Sequence, residues 1–386
     1  MSERLVPPAL VERVRNRLAS SSDGIADAVR AEAGMVADDV VLERLRRDVE
    51  TELHGAGPLE PLLALPGATD VLVNAPDQVW VDRGRGLERT TVRFADDAAV
   101  RRLAARLASS AGRRLDDSSP FVDASLSDGT RLHAVLAPIA PTTTISLRVL
   151  ARARFELADL VATDVMSEPV AGLLTALVAA RLAFVISGGT GTGKTTLLGA
   201  LLGRVDPRER LLIVEDATEI VTSHPHVVRL ATRTANVEGA GRVELRDLVR
   251  QSLRMRPDRI VVGEFRGAEM AELLAALNTG HAGGAATMHA NAAADVPARF
   301  AALAAMSGIE SASAAAQVSS AFQVVIQLRR ARGGRRVLAE LGVIDTGGHG
   351  QLITRIAWAA GRAGPAADEL AALIEASGVA VPAGWR

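Results

Sequence analysis

The spacing of apolar residues changes twice along the chain. Through residues 9–54 it is three and four residues. ALVERVRNRLA, IADAVRAEA and DDVVLERLRRDVETEL each predict a helix, with Gly24 and Gly34 as breaks. The two prolines of GAGPLEPLL end that run. From about residue 69 the period shortens to two. TDVLVNAPDQVWVDR, LERTTVRF, SLSDGTRLHAVLAPI and TTTISLRVL predict short strands, with Asp128-Gly129 as a hairpin turn and AAVRRLAARLASSAG as a helix among them. From about 166, short continuous apolar runs alternate with helical periods. LAFVIS, RLLIVED, DRIVVGE and the residues around 285–290 predict buried strands, and HVVRLAT an edge strand. VELRDLVRQSLRM and GAEMAELLAALNTG predict the helices between them, the rhythm of a parallel sheet with crossover helices. After 331 the signal weakens: RRVLAELGVID and GQLITRIAWAAG predict strands and ADELAALIEASG a last helix. The expected organisation is a helical segment (1–57), a smaller α/β domain (58–150), a linker with its own short helix (151–165), a larger α/β domain (166–330) and a carboxy-terminal extension (331–386).

Composition narrows the function classes. A formal net charge of -1 gives no global field toward nucleic acid or acidic lipid. Aromatics make up 3% and tyrosine is absent, so the interleaved stacking platforms of single-strand binders are missing. The chain has no cysteine, which excludes disulfides and cysteine-ligated zinc. The first twenty residues are charged throughout, and no uncharged apolar run reaches membrane-spanning length, so a cytoplasmic protein is expected.

The chemistry concentrates in one stretch, AFVISGGTGTGKTTLLGALL. Of the 44 basic residues only Lys194 is a lysine. It stands in a G-x-x-x-x-G-K-T pattern made by Gly188, Gly193, Lys194 and Thr195, after an apolar strand and before an apolar helix. Glycines at this place let backbone N–H groups curl around phosphate oxygens, and the helix adds its positive end. A slim ammonium threads such a loop where a planar guanidinium does not fit. Residues Gly188, Gly189, Thr190, Gly191, Thr192, Gly193, Lys194, Thr195 and Thr196 are therefore the expected nucleotide-binding set, with the Thr195 hydroxyl on Mg²⁺.

Acidic residues follow two of the buried strands. IVVGEFRG ends on Glu264, a candidate to support the metal or polarise water. LIVEDATEI carries Glu215, Asp216 and Glu219, of which one could be a general base; Glu215 and Glu219 are not separable from sequence, and Asp216 is a candidate metal ligand. TGHAGGAATMHANAA holds His281 and His289 at a spacing that fits no compact zinc site. Two readings stay open for them: phosphate sensing, or a helix cap and a core filler. Arginines 242, 246, 250 and 254 share a helical face, and Arg229, Arg233 and Arg256 lie near. They make a solvated face, a set of arginine fingers or a nucleic-acid surface.

Together GGTGTGKTTLL, VEDATEI, RMRPDRIVVGEFRG and TGHAGGAATMHAN resemble the phosphate loop, Asp box, Walker B region and His box of the type II/type IV secretion ATPase superfamily. GPLEPLL, DVLVNAPDQVWVDR, GRRLDDSSPFVDASLSDGTRLHAV and ISLRV look like its amino-terminal domain, and the resemblance covers about residues 55–330. RLATRTANVEGAGRVELRDLVRQSLRMRPDRI looks most like the tight-adhesion (Flp) pilus branch, the CpaF/TadA-like ATPases. The resemblance implies an α/β fold: a RecA-like P-loop domain preceded by a PAS-like α/β domain and a helical segment. It implies a homo-hexamer using ATP and Mg²⁺, with Glu215, Glu219, Glu264 and Lys194 catalytic. Arg131 and Arg148 match family arginines that face the phosphates, with Arg113 or Arg114 as weaker matches. Arg229, Arg233, Arg246, Arg254 and Arg256 fall in an arginine-rich segment, and His281 and His289 become functional. Its implied partners are an inner-membrane platform protein and, indirectly, pilin subunits; zinc and nucleic acid are not expected. The alternatives are a conjugal-transfer ATPase, or a ring that switches shape with nucleotide and turns none over. Ser125 stands where the branch usually has arginine, and Ala282, Gly284 and Ala286 replace larger or more polar His-box residues, which could loosen the surroundings of His281.

Overall fold

The computed structural model describes residues 10, 13, 14, 16–18, 24–33, 42, 43, 45, 46 and 49 of the first 54, and every later residue except 85, 150–153, 234, 236–239, 268, 349 and 386. It divides into two compact units, Met1–Ala151 and Arg152–Arg386.

In the first unit α1 (Ile25–Ala33) is the longest continuously described stretch of the expected helical segment, and Leu10, Val14, Ala28, Val29, Leu45 and Val49 bury together. After the short α2 (Glu60–Leu63) come β1 (Asp70–Ala75), β2 (Gln78–Asp82), β3 (Leu87–Arg89), helix α3 (Asp97–Ser110), β4 (Phe121–Ser125), β5 (Arg131–Val135) and β6 (Thr144–Arg148). They form an antiparallel sheet in the order β3-β2-β1-β6-β5-β4. Alternate residues such as Val71, Val73, Leu132, Ala134, Ile145 and Leu147 face Val100, Leu103 and Leu107 of α3. Asp96 caps α3 by accepting from Ala99 N at 2.7 Å. Strand β4 starts at Phe121, earlier than the spacing predicts, because Phe121, Asp123 and Ser125 are its exposed positions and only Val122 is fully buried.

The second unit is a nine-stranded sheet between two helical layers. It comprises α4 (Leu157–Ala162), α5 (Glu168–Ala179), β7 (Phe184–Ser187), α6 (Lys194–Leu202), β8 (Leu211–Glu215), β9 (Val227–Ala231), α7 (Leu245–Ser252), β10 (Arg259–Val262), α8 (Glu269–Asn278), β11 (Ala285–Met288), α9 (Val296–Met306), α10 (Ser311–Ala321), β12 (Val324–Arg330), β13 (Arg336–Thr346), β14 (Leu352–Ala359), β15 (Arg362–Ala363) and α11 (Ala367–Glu375). The strand order is β15-β14-β13-β12-β7-β11-β10-β8-β9, parallel from β12 to β9 and antiparallel from β12 to β15. Strands β7, β8, β10 and β11 are buried along their whole length, as the unbroken apolar runs require. Leu157 and Leu160 of the expected linker sit in the core of this unit, so its helix α4 is a structural part of it. Strands β13–β15 complete the sheet, and Leu370 and Ile374 of α11 cover it beside Trp358 and Trp385. On the other face Phe265, Phe300 and Phe322 pack with centroids 5.6–6.1 Å apart. No described helix is long and apolar enough to cross a membrane.

One buried ion cluster ties several strand starts together. Arg259 is 2% exposed and donates to both Glu209 oxygens at 2.8 and 3.0 Å, while Arg181 reaches the same carboxylate at 2.7 Å. Arg181 also donates to Asp258 O at 2.8 Å. Glu209→Ala leaves the enclosed Arg259 without a counter-charge and is expected to cost about 3 kcal/mol in urea denaturation. A loss below about 1 kcal/mol, the size of an exposed pair, would contradict this.

Candidate active site

Strand β7 ends at Ser187 and α6 begins at Lys194. The chain between them turns on Gly188 (φ 152°), Gly191 (φ 70°) and Gly193 (φ 96°). Gly188 is fixed by space as well as by angle, since a Cβ there would fall 2.5 Å from Leu328 O on β12. The loop folds around its own lysine: Lys194 Nζ donates to Gly188 O at 2.9 Å and Gly189 O at 3.1 Å. Thr192 Oγ1 donates to Gly189 O at 2.9 Å. Thr195 and Thr196 lie half-buried in the first turn of α6, and Thr190 is exposed. Lys194 is 8% exposed, and burial pulls its pKa down while the charge of Glu264 pushes it back up. A buried ammonium held by neutral acceptors, at a helix start with left-handed glycines, suits an anion of several oxygens.

The strand order explains what meets this lysine. Strand β11 lies between β7 and β10, so the residues after β11 stand between the loop and Glu264. His289 occupies that place. Its Nδ1 is 3.4 Å from Lys194 Nζ and its Nε2 is 2.8 Å from Glu264 Oε1. Glu264 Oε2 accepts from Arg266 Nε at 2.9 Å and Nη2 at 2.6 Å, and Arg266 Nη1 is 3.3 Å from Asp216 Oδ2. Lysine, histidine, glutamate, arginine and aspartate thus form one continuous chain. Burial first, then the Lys194 charge, hold the His289 pKa below its usual range. The neutral ring with its proton on Nε2 fits both neighbours, donating to Glu264 and accepting from Lys194.

The Asp-box acids separate by environment. Glu215 is 3% exposed, and its Oε1 accepts from Glu219 N at 3.0 Å and Ile220 N at 2.8 Å. Burial pushes its pKa up, opposed by those amides and by Arg229, whose Nη1 is 3.8 Å from Oε2. Its carboxylate holds its own turn, and its Cγ leaves no room for a side chain at Gly263. Asp216 and Glu219 are half-buried beside it. Arg229 also donates to Ile220 O.

The remaining candidates lie elsewhere. His281 Nδ1 is 3.1 Å from Ala276 O, at the end of α8, which is the capping reading. His289 fills no core, its side chain being 42% exposed. Arg233 donates to Gly241 O at 2.7 Å and Arg246 lies 3.5 Å from Glu244. With Asp216 they border a cavity of about 330 Å³. Arg254 and Arg256 are exposed. In the first unit Arg131 and Arg148 are direct cross-strand partners, and Arg148 donates to Asp70 Oδ1 at 3.0 Å. Among the described residues no group of three or more His, Asp or Glu forms a metal cluster. Gly284 is buried just before β11 and Ala286 is buried within it; a methyl at Gly284 would strike Leu277 Cδ2 at 2.4 Å, so packing under α8 accounts for the small residue.

Sequence reasoning missed three features. Arg266 is one, though its place two residues after Glu264 was the available signal. Gln327 is another: it is 2% exposed, bonds the Ser187 hydroxyl and donates to Asn291 O at 3.1 Å, joining β7 to the segment after His289. A lone amide in the apolar run VVIQL marks it. The third is the contact of Arg330 and Arg336 with the loop, hidden in an arginine-rich turn.

The sequence profile of the type II/IV secretion system proteins matches residues 52–338. A putative conjugal transfer protein of Mycobacterium tuberculosis is 54% identical over 88% of this chain and 97% of its own length. The conjugal transfer protein TrbB of Rhizobium radiobacter is 31% identical over 71% of this chain and 84% of its own. In fold the chain is similar to the Legionella pneumophila ATPase DotB (22% identity, TM-score 0.53, 77% of this chain and 80% of that one). It is similar to the pilus retraction motor PilT with bound ADP to the same degree (22%, TM-score 0.53, 75% and 82%). The chain belongs to the type II/IV secretion system protein family.

Proposed function

We propose that this chain is an ATP hydrolase that drives a secretion or pilus machine. The observation that carries the reading is the unbroken path from Lys194 through His289 to Glu264, Arg266 and Asp216 at the mouth of a glycine loop. Bound Mg-ATP would supply the phosphoanhydride to be cleaved and a cation to shield its oxygens. Lys194 leaves the loop carbonyls for phosphate oxygens, exchanging neutral acceptors for charged ones. The Thr195 hydroxyl and Asp216 would hold the magnesium, which would shield the phosphate charge. Glu264 takes a proton from the attacking water once one of its two oxygens is released, with Glu219 as the second acid in reach of that role. Glu215 acts by fixing the turn that presents Asp216 and Glu219.

On this reading the active form is a homo-hexamer at the cytoplasmic face of the membrane, attached through a platform protein. The first unit is its PAS-like domain, and Arg131 and Arg148 serve as arginine fingers. Two cargo readings have separate support. Motifs of the tight-adhesion type favour pilin assembly. The names of the relatives favour conjugal or type IV secretion. Genes for small pilin-like proteins beside this one would support the first, and a relaxase or coupling protein the second.

Lys194→Ala is expected to lower ATP turnover at least about a hundredfold, because the charge it places on the phosphates acts in a low-dielectric site. Turnover at the parental rate would sink the assignment. Glu264→Gln is expected to lower kcat by about 10²–10⁴ with ADP affinity within threefold of the parent. Equal losses in both would make Glu264 a binding residue. The neutral His289 sets a sign for pH. Its folded pKa lies below the unfolded value of about 6.5, so its contribution is present above that pH and is lost as pH falls. Between pH 7.5 and 5.5 the melting midpoint of the ligand-free parent should fall more steeply than that of His289→Ala. Parallel curves would contradict a neutral histidine at this place.

A further inference from the structure

Strand β12 is aligned with β7 so that Gln327 pairs with Ser187. It then runs three residues further, alongside the glycine loop, and turns back into β13. Arg330 and Arg336 are direct partners across that antiparallel pair. Both Nε atoms donate to one acceptor, Gly191 O, each at 3.2 Å. Each covers a left-handed glycine: Arg330 Nη2 would lie 2.8 Å from a Cβ at Gly191, and Arg336 Cδ 3.4 Å from one at Gly193.

This is a costly arrangement. Like charges directly opposite on two strands repel. No carboxylate lies within 4.0 Å of either guanidinium among the described residues, although Arg335 in the same turn reaches Asp164 at 3.5 Å. Three other arginines, Arg329, Arg332 and Arg335, occupy the same stretch, so charge alone does not single out this pair; position does. One carbonyl takes only the Nε donors of both side chains, which leaves their Nη donors aimed from the rim of a phosphate-type loop. A pair of guanidiniums with free forks and no acid is what a polyphosphate needs.

We infer that Arg330 and Arg336 form a second cationic grip on the phosphates of the bound nucleotide, separate from Lys194 and supplied by the β12–β13 hairpin of the same subunit. The inference rests on the nucleotide-binding reading above. It makes the hairpin a positioning element of the site, and it explains why the strand overshoots its neighbour.

The test is equilibrium binding of ADP to the full-length protein, by calorimetry at 50, 150 and 300 mM salt, for the parent, Arg330→Gln, Arg336→Gln, the double variant and Lys194→Ala. Losing one charge-assisted contact should weaken ADP at least about threefold, and losing both about tenfold or more. The double variant should also show a shallower dependence on salt than the parent. Thermal midpoints within a few degrees of the parent establish that these exposed replacements leave the fold intact. If the double variant does not fold, the two single variants carry the test. Parental affinity and salt slope in the variants, with Lys194→Ala weakened, would overturn the hairpin grip and leave the nucleotide site standing. A parent that binds no ADP, or a Lys194→Ala protein that binds as well as the parent, would overturn the nucleotide-binding reading and the grip with it.

Discussion

A single ammonium group organises the larger unit. Lys194 Nζ is enclosed, and it touches two carbonyls of its own loop and one imidazole. Burying a cation with neutral partners is unfavourable unless an anion is to arrive. Much of the surrounding structure serves to keep that cation in place. The left-handed glycines allow the loop to close, the carbonyl of Leu328 forbids a side chain at Gly188, and α6 starts at the lysine itself.

The order of strands converts this local feature into a site. If β10 lay directly beside β7, Glu264 would stand next to the loop without a mediator. Strand β11 intervenes, and His289 at its end links the two. The histidine is neutral because burial and Lys194 both oppose its charge. A neutral ring transmits a hydrogen bond from lysine to glutamate without separating charge, and Arg266 then joins Glu264 to Asp216. A change in any one of these groups is therefore felt along the series.

Much of this was legible in the sequence. The strand–glycine loop–helix context located the glycine loop, and the sole lysine marked where its helix begins. The buried runs VVGE and LIVED placed the acids at strand ends, and the edge position of HVVRLAT follows from its mixed polarity. What could not be read depends on which strands are neighbours. Whether Glu215 or Glu219 is the more accessible acid is a matter of which one the turn encloses. That His289 meets Lys194 while His281 caps a helix depends on the position of β11. The segment after 331 read weakly because β13 and β14 are long, only partly buried and interrupted by register shifts, so their alternation is blurred. The role of Gly284 needed the helix above it.

The most direct measurement is phosphate release from ATP by the purified chain in the presence of Mg²⁺, followed as a function of protein concentration. The account predicts measurable turnover whose specific rate rises with concentration, as subunits meet to complete each site. A protein that binds ATP at every concentration and releases no phosphate would contradict it.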